Sequence, residues 1–290
     1  MPEVLRLLIG TVTLRPYVFA FFLAYLFLAI TAMGWRRTAL FTTIAYIIAL
    51  ICEYSSVHNG FPFGLYYYIP ATTTKELWVA GVPFMDSLSF TFLSFVSYQM
   101  AIFLRSPLLV KRGDVQVVLL KSIQKSWLTS ILAGILMMYL DIVIDPVALQ
   151  GDKWFLGKIY YYPNGGAYFG VTIANFIGWA FICPLIVRVF LWAEQWLDEE
   201  RPLGHYPFKG LAAAGLYFGV LGFNLTMTFL IGQVTMGWAS SFIIMLLILL
   251  FGNHLSFCAN TTPIKQFQQH RQDYPNSPLL AAYPELSEAT

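Results

Sequence analysis

Apolar runs bounded by polar or turn residues recur along the chain at about 16–35, 38–54, 86–104, 127–145, 168–193, 210–232 and 236–252. A helix needs roughly 17–25 mostly apolar residues to cross the hydrocarbon, so the pattern predicts about seven membrane-spanning helices. A shorter run at 4–14, broken by Arg6, either lies along the interface or makes an eighth span, depending on where Pro16 sets the boundary. The short alternating segments of an outer-membrane barrel do not occur. The expected fold class is all-α: a polytopic helical membrane bundle over residues 1–260. From 261 to 290 the chain turns polar, with Pro263, Pro275, Pro278 and Pro284, and predicts a flexible C-terminal tail.

Composition sharpens this picture. Of the 290 residues 58% are hydrophobic and 11% charged, whereas roughly a quarter of a soluble domain is charged. The net charge of +2 comes without any basic tract interleaved with aromatics, which argues against nucleic acid as a partner. With seven spans, Arg36, Arg37, Arg105, Lys111, Arg112, Lys121, Lys125, Arg188, Arg201, Lys209, Lys265 and Arg271 fall on one side. Only Arg6, Arg15, Lys75, Lys153 and Lys158 fall on the other. The richer side is expected to be cytoplasmic. The start, MPEVLRLLIG, does not read as a removable signal peptide. Cys52, Cys183 and Cys258 lie in or beside apolar runs without a CxxC pair, so they read as packing residues.

The acids carry most of the functional signal. Glu53, Asp86, Asp141 and Asp145 lie within or at the ends of apolar spans, where an ionised carboxylate at the membrane centre costs roughly 2.5–3.5 kcal/mol on insertion scales. Such residues usually face a bundle interior and serve a function; the plainer reading is a wet acid capping a helix end. Asp141 and Asp145, in MMYLDIVIDPVA, are four apart and share one helix face, with Pro146 expected to end the helix at Asp145. Two carboxylates so close repel when both are ionised, so at least one is expected to hold a proton, as a donor to an unactivated substrate requires. Their plainer role is a structural pair bonded to neighbouring helices.

Further polar candidates are His58 and Asn59, just after Glu53, and Asn175 within IANFIGW. Each either ties helices together or orients a reactant and water. The tyrosine runs 66–68 and 160–162 read as an interfacial belt or as the wall of a tunnel, where aromatic faces steady a carbocation. A weak internal repeat links the two regions: GLYYYIP from Gly64 lies over GKIYYYP from Gly157, and GVPFMDSLSF from Gly81 over GVTIANFIGW from Gly170. It predicts two related half-sites around one cavity. Gly215 and Gly219 have the spacing of a helix-packing pair. His205, His254 and His270 are scattered and no HxxH or HExxH group occurs, so no metal site is expected.

Taken together, HNGFPFGLYYY with its preceding acid, GVPFMD, DIVIDPVA and YFGVTIANFIGW resemble the carotenoid biosynthesis family of membrane hydratases. This is the CruF type, which includes bisanhydrobacterioruberin hydratase. The resemblance covers roughly 40–255 and implies cofactor-free addition of water to the terminal double bond of an acyclic carotenoid end group such as that of lycopene or γ-carotene. The product is a tertiary alcohol. It also implies a multi-pass protein of a bacterial or archaeal cytoplasmic membrane. Thr172 stands where the family pattern has proline. The chemistry then assigns the proton donor to one of Asp141, Asp145 or Glu53, and the water to Asp86 with Asn59, Asn175 or His58. Tyr67 and Tyr161 are expected to face the cation. The rival readings are a carotenoid cyclase or other isoprenoid enzyme, and a proton-coupled carrier.

Overall fold

The computed structural model describes residues 3–111, 113–197 and 206–287; Arg112, Arg201 and His205 lie outside them. A short helix α1 (Glu3–Leu14) leads into α2 (Pro16–Met33) and α3 (Trp35–Asn59). A loop carries β1 (Tyr67–Tyr68), β2 (Trp78–Val79) and β3 (Val82–Pro83) to α4 (Phe84–Arg105). At the other end of α4 come a hairpin, β4 (Leu108–Lys111) and β5 (Asp114–Val117), and the single turn α5 (Lys121–Gln124). Then α6 (Trp127–Ala148), β6 (Tyr160–Tyr161), α7 (Ile173–Ala193), α8 (Lys209–Leu230) and α9 (Val234–Ala259) complete the bundle. Seven helices are long and apolar enough to cross a membrane. The protein is a multi-pass helical membrane protein. Its twelve-residue α1 spans only about 18 Å at 1.5 Å per residue, too short for an eighth crossing.

Most of α4 is buried, because it packs against α2, α3, α6, α7 and α8. Its hydroxyls turn back on their own helix: Thr91 donates to the Leu88 carbonyl (2.6 Å) and Ser94 to that of Phe90 (2.5 Å). Small residues with satisfied hydroxyls let helices approach closely in a membrane, where lipid offers no hydrophobic drive for association. One close approach joins α6 to α7 at Gly134, where an added methyl would collide with the Ala180 carbonyl and the Pro184 ring. By contrast, Gly215 and Gly219 face outward with nothing near a hypothetical Cβ, so their spacing does not mark a helix contact within this chain. Pro146 does not stop α6 at Asp145. The helix runs on to Ala148, and the Leu149 N–H still reaches the Asp145 carbonyl (2.9 Å).

Beyond Thr261, where the sequence predicts a flexible polar tail, the chain forms α10 (Ile264–Asp273), α11 (Pro278–Ala282) and α12 (Pro284–Ser287). The few apolar residues in this stretch are concentrated on one surface: Phe267, Leu279, Tyr283 and Leu286 bury against Leu109 and Val118. Asp114 anchors them, accepting from the Val115 and Phe208 N–H groups (2.8 and 2.6 Å), the Gln116 amide and the Tyr283 hydroxyl (2.9 Å). Burial alone pushes the Asp114 carboxyl up, but these hydrogen bonds together hold it below the usual aspartate value.

A carboxyl lowered on folding stabilises above its unfolded value, and that contribution disappears as pH falls through its folded one. Hydrogen exchange of residues 264–286 should therefore quicken as pH drops below about 4. Asp114→Asn should exchange faster at neutral pH and lose that dependence. Separately, Gly134→Ala should lower thermal stability in detergent by about 1–3 kcal/mol, the usual range for overpacking, while Gly219→Ala leaves it within a few tenths.

Candidate active site

The two tyrosine runs organise the site. They meet as an antiparallel pair, Tyr67 opposite Tyr161 and Tyr68 opposite Tyr160, so the two segments that the sequence repeat links face each other. Side chains alternate along a strand, and the phase here is the reverse of the sequence expectation. Tyr67 and Tyr161 are 40% and 42% exposed and meet at a tilt outside, while Tyr66 and Tyr162, at 6% and 8%, turn inward with Tyr68 and Tyr160. The outward pair cannot face a reacting centre. The four inward phenols surround one another edge to face, with centroids 5.3–6.4 Å apart.

In the first half, α3 ends at Gly60, whose left-handed backbone (φ 83°) caps the helix through its N–H to the Ser56 carbonyl. The Phe63 N–H then bonds the Ser56 hydroxyl (3.0 Å), folding the loop back over Glu53. Glu53 is buried; it accepts from Tyr68 (3.2 Å) and from Ser87 on the first turn of α4. Asp86, the third residue of α4, stands beside Tyr68 and opens onto the cavity. In the second half, Thr172 caps α7 by accepting from the Asn175 N–H (3.3 Å). A threonine does this where proline could offer no side-chain acceptor. Asn175 is likewise the third residue of its helix, the counterpart of Asp86 in the repeat. Its amide bridges Asp141 (2.6 Å) and Asp145 (3.0 Å), and Asp145 also accepts from Tyr160 and Tyr162 (3.2 Å). One Asp141 oxygen, fully buried, has no hydrogen-bond partner.

Burial first, and the adjacent carboxylates after it, push the phenols of Tyr66, Tyr68, Tyr160 and Tyr162 above their ordinary value. They therefore stay hydrogen donors at any ordinary pH. Glu53, Asp86, Asp145 and Asn175 share one cavity of about 130 Å³. Its walls are aromatic: Tyr17, Phe21, Phe63, Trp154 and the stacked pair Phe90–Trp179, 4.5 Å apart. Among the described residues no lysine, arginine or histidine lines it, and no group of three or more His, Cys, Asp and Glu could hold a metal ion. Asp141 lies behind Asn175 rather than on the wall.

His58 and Asn59 are not part of this cluster. Both are exposed at the end of α3, His58 against the Tyr54 carbonyl (2.7 Å) and Asn59 accepting from Ser55 and the Phe61 N–H. They face away because a helix turns 100° per residue, so five and six positions beyond Glu53 lie on other faces. Sequence reasoning also missed a buried ion pair beneath the site. Arg15, at the start of α2, bonds both Glu76 carboxylate oxygens (3.1 and 3.2 Å) and the Leu156 carbonyl, tying the two loops together. Nothing local in the sequence marks it, since the partners are 61 residues apart.

A family model described as carotenoid biosynthesis protein matches residues 4–250. The chain belongs to that family. The protein therefore has a role in carotenoid biosynthesis, and a carotenoid-type molecule is the class of substrate the family implies. No curated protein and no solved structure matches the chain. The aromatic cavity wall and the cluster of acids at the loop end of the bundle bring an apolar surface and carboxyl groups together.

The alternation of the tyrosine runs yields a sharp contrast. Tyr68→Phe and Tyr160→Phe each leave a buried carboxyl oxygen without its donor, a loss of roughly 1–3 kcal/mol. Carotenoid conversion in a producing host should fall about tenfold or more in these variants. Tyr67→Phe, Tyr161→Phe and His58→Ala should stay within about twofold of the parent, a range that surface changes rarely exceed.

Proposed function

We propose that the protein is a carotenoid hydratase, adding water to the terminal double bond of an acyclic end group such as that of lycopene or γ-carotene. The reading is carried by one observation: Glu53, Asp86, Asp145 and Asn175 converge on one aromatic cavity that, among the described residues, no cationic side chain lines. A carboxyl in such surroundings, without a cation to pair with, is held more cheaply with its hydrogen than without it. That is the form an alkene needs.

The two halves divide the work. Glu53 and Asp86 form an acid pair, and two adjacent carboxyls in one apolar site favour sharing a proton. Its O–H adds to the less substituted alkene carbon, forming the new C–H bond and leaving a tertiary cation. Aromatic faces such as those of Phe90 and Trp179 steady that charge. Asp145, held ionised by its three neutral donors, and Asn175 hold the water: its oxygen bonds to the cation and its proton passes to Asp145. Return of that proton from Asp145 to the Glu53–Asp86 pair restores the starting protonation, so the net change is the addition of one water. The cavity is well below the roughly 300–1,000 Å³ of sites that enclose a whole small molecule. It suits the extended tip of a long chain, and a chain folded back to close a ring fits it less well, which favours hydration over cyclisation.

Expression in a lycopene-making host tests this, since hydration adds the mass of water and cyclisation adds none. Asp86→Asn and Glu53→Gln should lose conversion by about 10²–10⁴-fold, the usual worth of a positioned acid. Asp145→Asn should still protonate the alkene but shift the product from alcohol toward a rearranged or eliminated alkene. Full alcohol formation by all three variants would overturn the assignment.

A further inference from the structure

A second chamber lies at the opposite end of the bundle. It has a volume of about 770 Å³ and is enclosed by the ends of α2, α4 and α7, the starts of α3 and α8, the α5 turn and the C-terminal helices. It does not extend the acid cavity: Tyr25, Phe95 and Tyr217 fill the bundle between them, each at most 1% exposed, with Tyr25 and Phe95 5.1 Å apart. Four cations line it, Arg37, Lys121, Lys125 and Lys209, and among the described residues Glu194 is the one carboxylate that does. Glu194 is already taken up by Arg37 (3.5 Å). Lys209 donates to the Thr31 carbonyl (2.8 Å). Among the described residues neither Lys121 nor Lys125 has a carboxylate within ion-pair distance, and the Lys121 ammonium lies 5.3 Å from the Tyr274 ring.

Charge and greasiness are layered in this chamber. Arg37 and Lys209 sit on the first turns of α3 and α8, while Phe41 lies one turn further into the bundle. Phe95, Ile102 and Phe190 continue the apolar floor. A cationic rim over an apolar floor, within the size range of ligand sites, matches an amphiphile with an anionic head. Basic pockets between transmembrane helices at the cytoplasmic face take the phosphate heads of anionic lipids, and this is the end where the basic loops of the sequence gather.

We infer that this chamber binds the phosphate head of an anionic phospholipid, roofed by the C-terminal helices through Tyr274 and Leu279. The inference is independent of the hydration chemistry. Native mass spectrometry of the full-length protein in detergent tests it, with phosphatidylglycerol, phosphatidylcholine and inorganic phosphate as separate probes. Phosphatidylglycerol should bind and the other two should not. Lys121→Gln with Lys125→Gln, both exposed positions, should weaken that binding about thirtyfold, each charge counting as a surface lysine does near an anionic lipid. Lys153→Gln with Lys158→Gln, at the other end, should leave it unchanged. Equal binding of phosphatidylcholine, equal effect of free phosphate, a carotenoid in place of phospholipid, or indifference to the Lys121/Lys125 change would each overturn it. If the double variant is poorly folded, a phosphatidylglycerol affinity that does not fall with added salt in the parent protein overturns it equally.

Discussion

Carboxyl groups inside an apolar bundle are tolerable when neutral donors meet them, and the rest of this structure is arranged around that requirement. Asp145 takes two phenols and one amide, Glu53 a phenol and a serine, and Asp141 the other hydrogen of Asn175. None of these partners is a cation. An arginine or lysine in their place would hold the acids ionised and, on the hydration reading, would take away the proton donor. A buried salt bridge nearby, Arg15 with Glu76, lies under the loops and not on the cavity wall. There it satisfies a loop carbonyl as well as the carboxylate, and so fixes the loops that aim the phenols.

Those phenols are aimed by backbone geometry more than by packing. The paired runs form a two-stranded clasp across the ends of α3, α4, α6 and α7. Because the pairing is antiparallel, Tyr68 and Tyr160 are brought opposite each other, each next to the acid of its own half. The helices below are held in register by contacts such as Gly134 against Ala180, where no side chain separates the backbones. A shift of α6 relative to α7 would break the bridge from Asn175 to the two aspartates. The precision of the site therefore depends on a helix contact about half the length of α6 away from Asp145.

The sequence makes the bundle legible because apolar runs of crossing length are an unambiguous signal, and its acids are legible because charges are rare in such runs. Asn175 is readable for the same reason. The failures have a common cause, which is that direction is not written locally. Three consecutive tyrosines do not say which of them point inward; only the strand pairing sets the phase. His58 and Asn59 share a neighbourhood with Glu53 but not a helix face. Arg15 and Glu76 look like ordinary loop charges until the fold joins them, and a tail that counts as polar by composition keeps enough apolar residues on one surface to dock. Thr172 is the reverse case: the apparent departure from the family pattern is what caps α7 and orients Asn175.

The two halves resemble each other in outline, and one of the chemical differences between them bears directly on what the cavity could do. Asp86 and Asn175 hold the same place, two residues after a helix start, against an acid of the preceding helix. Two identical acid pairs would give two donors and nothing fitted to hold water; two acid–amide pairs would hold water but offer no shared hydrogen. Hydration of an alkene needs unlike groups at adjacent carbons, one to give a proton and one to accept the proton of the entering water. A duplicated frame supplies the opposed positions, and the exchange of a carboxyl for an amide at one of them supplies the difference in chemistry. On the hydration reading, the difference between Asp86 and Asn175 helps to make the acid pocket directional.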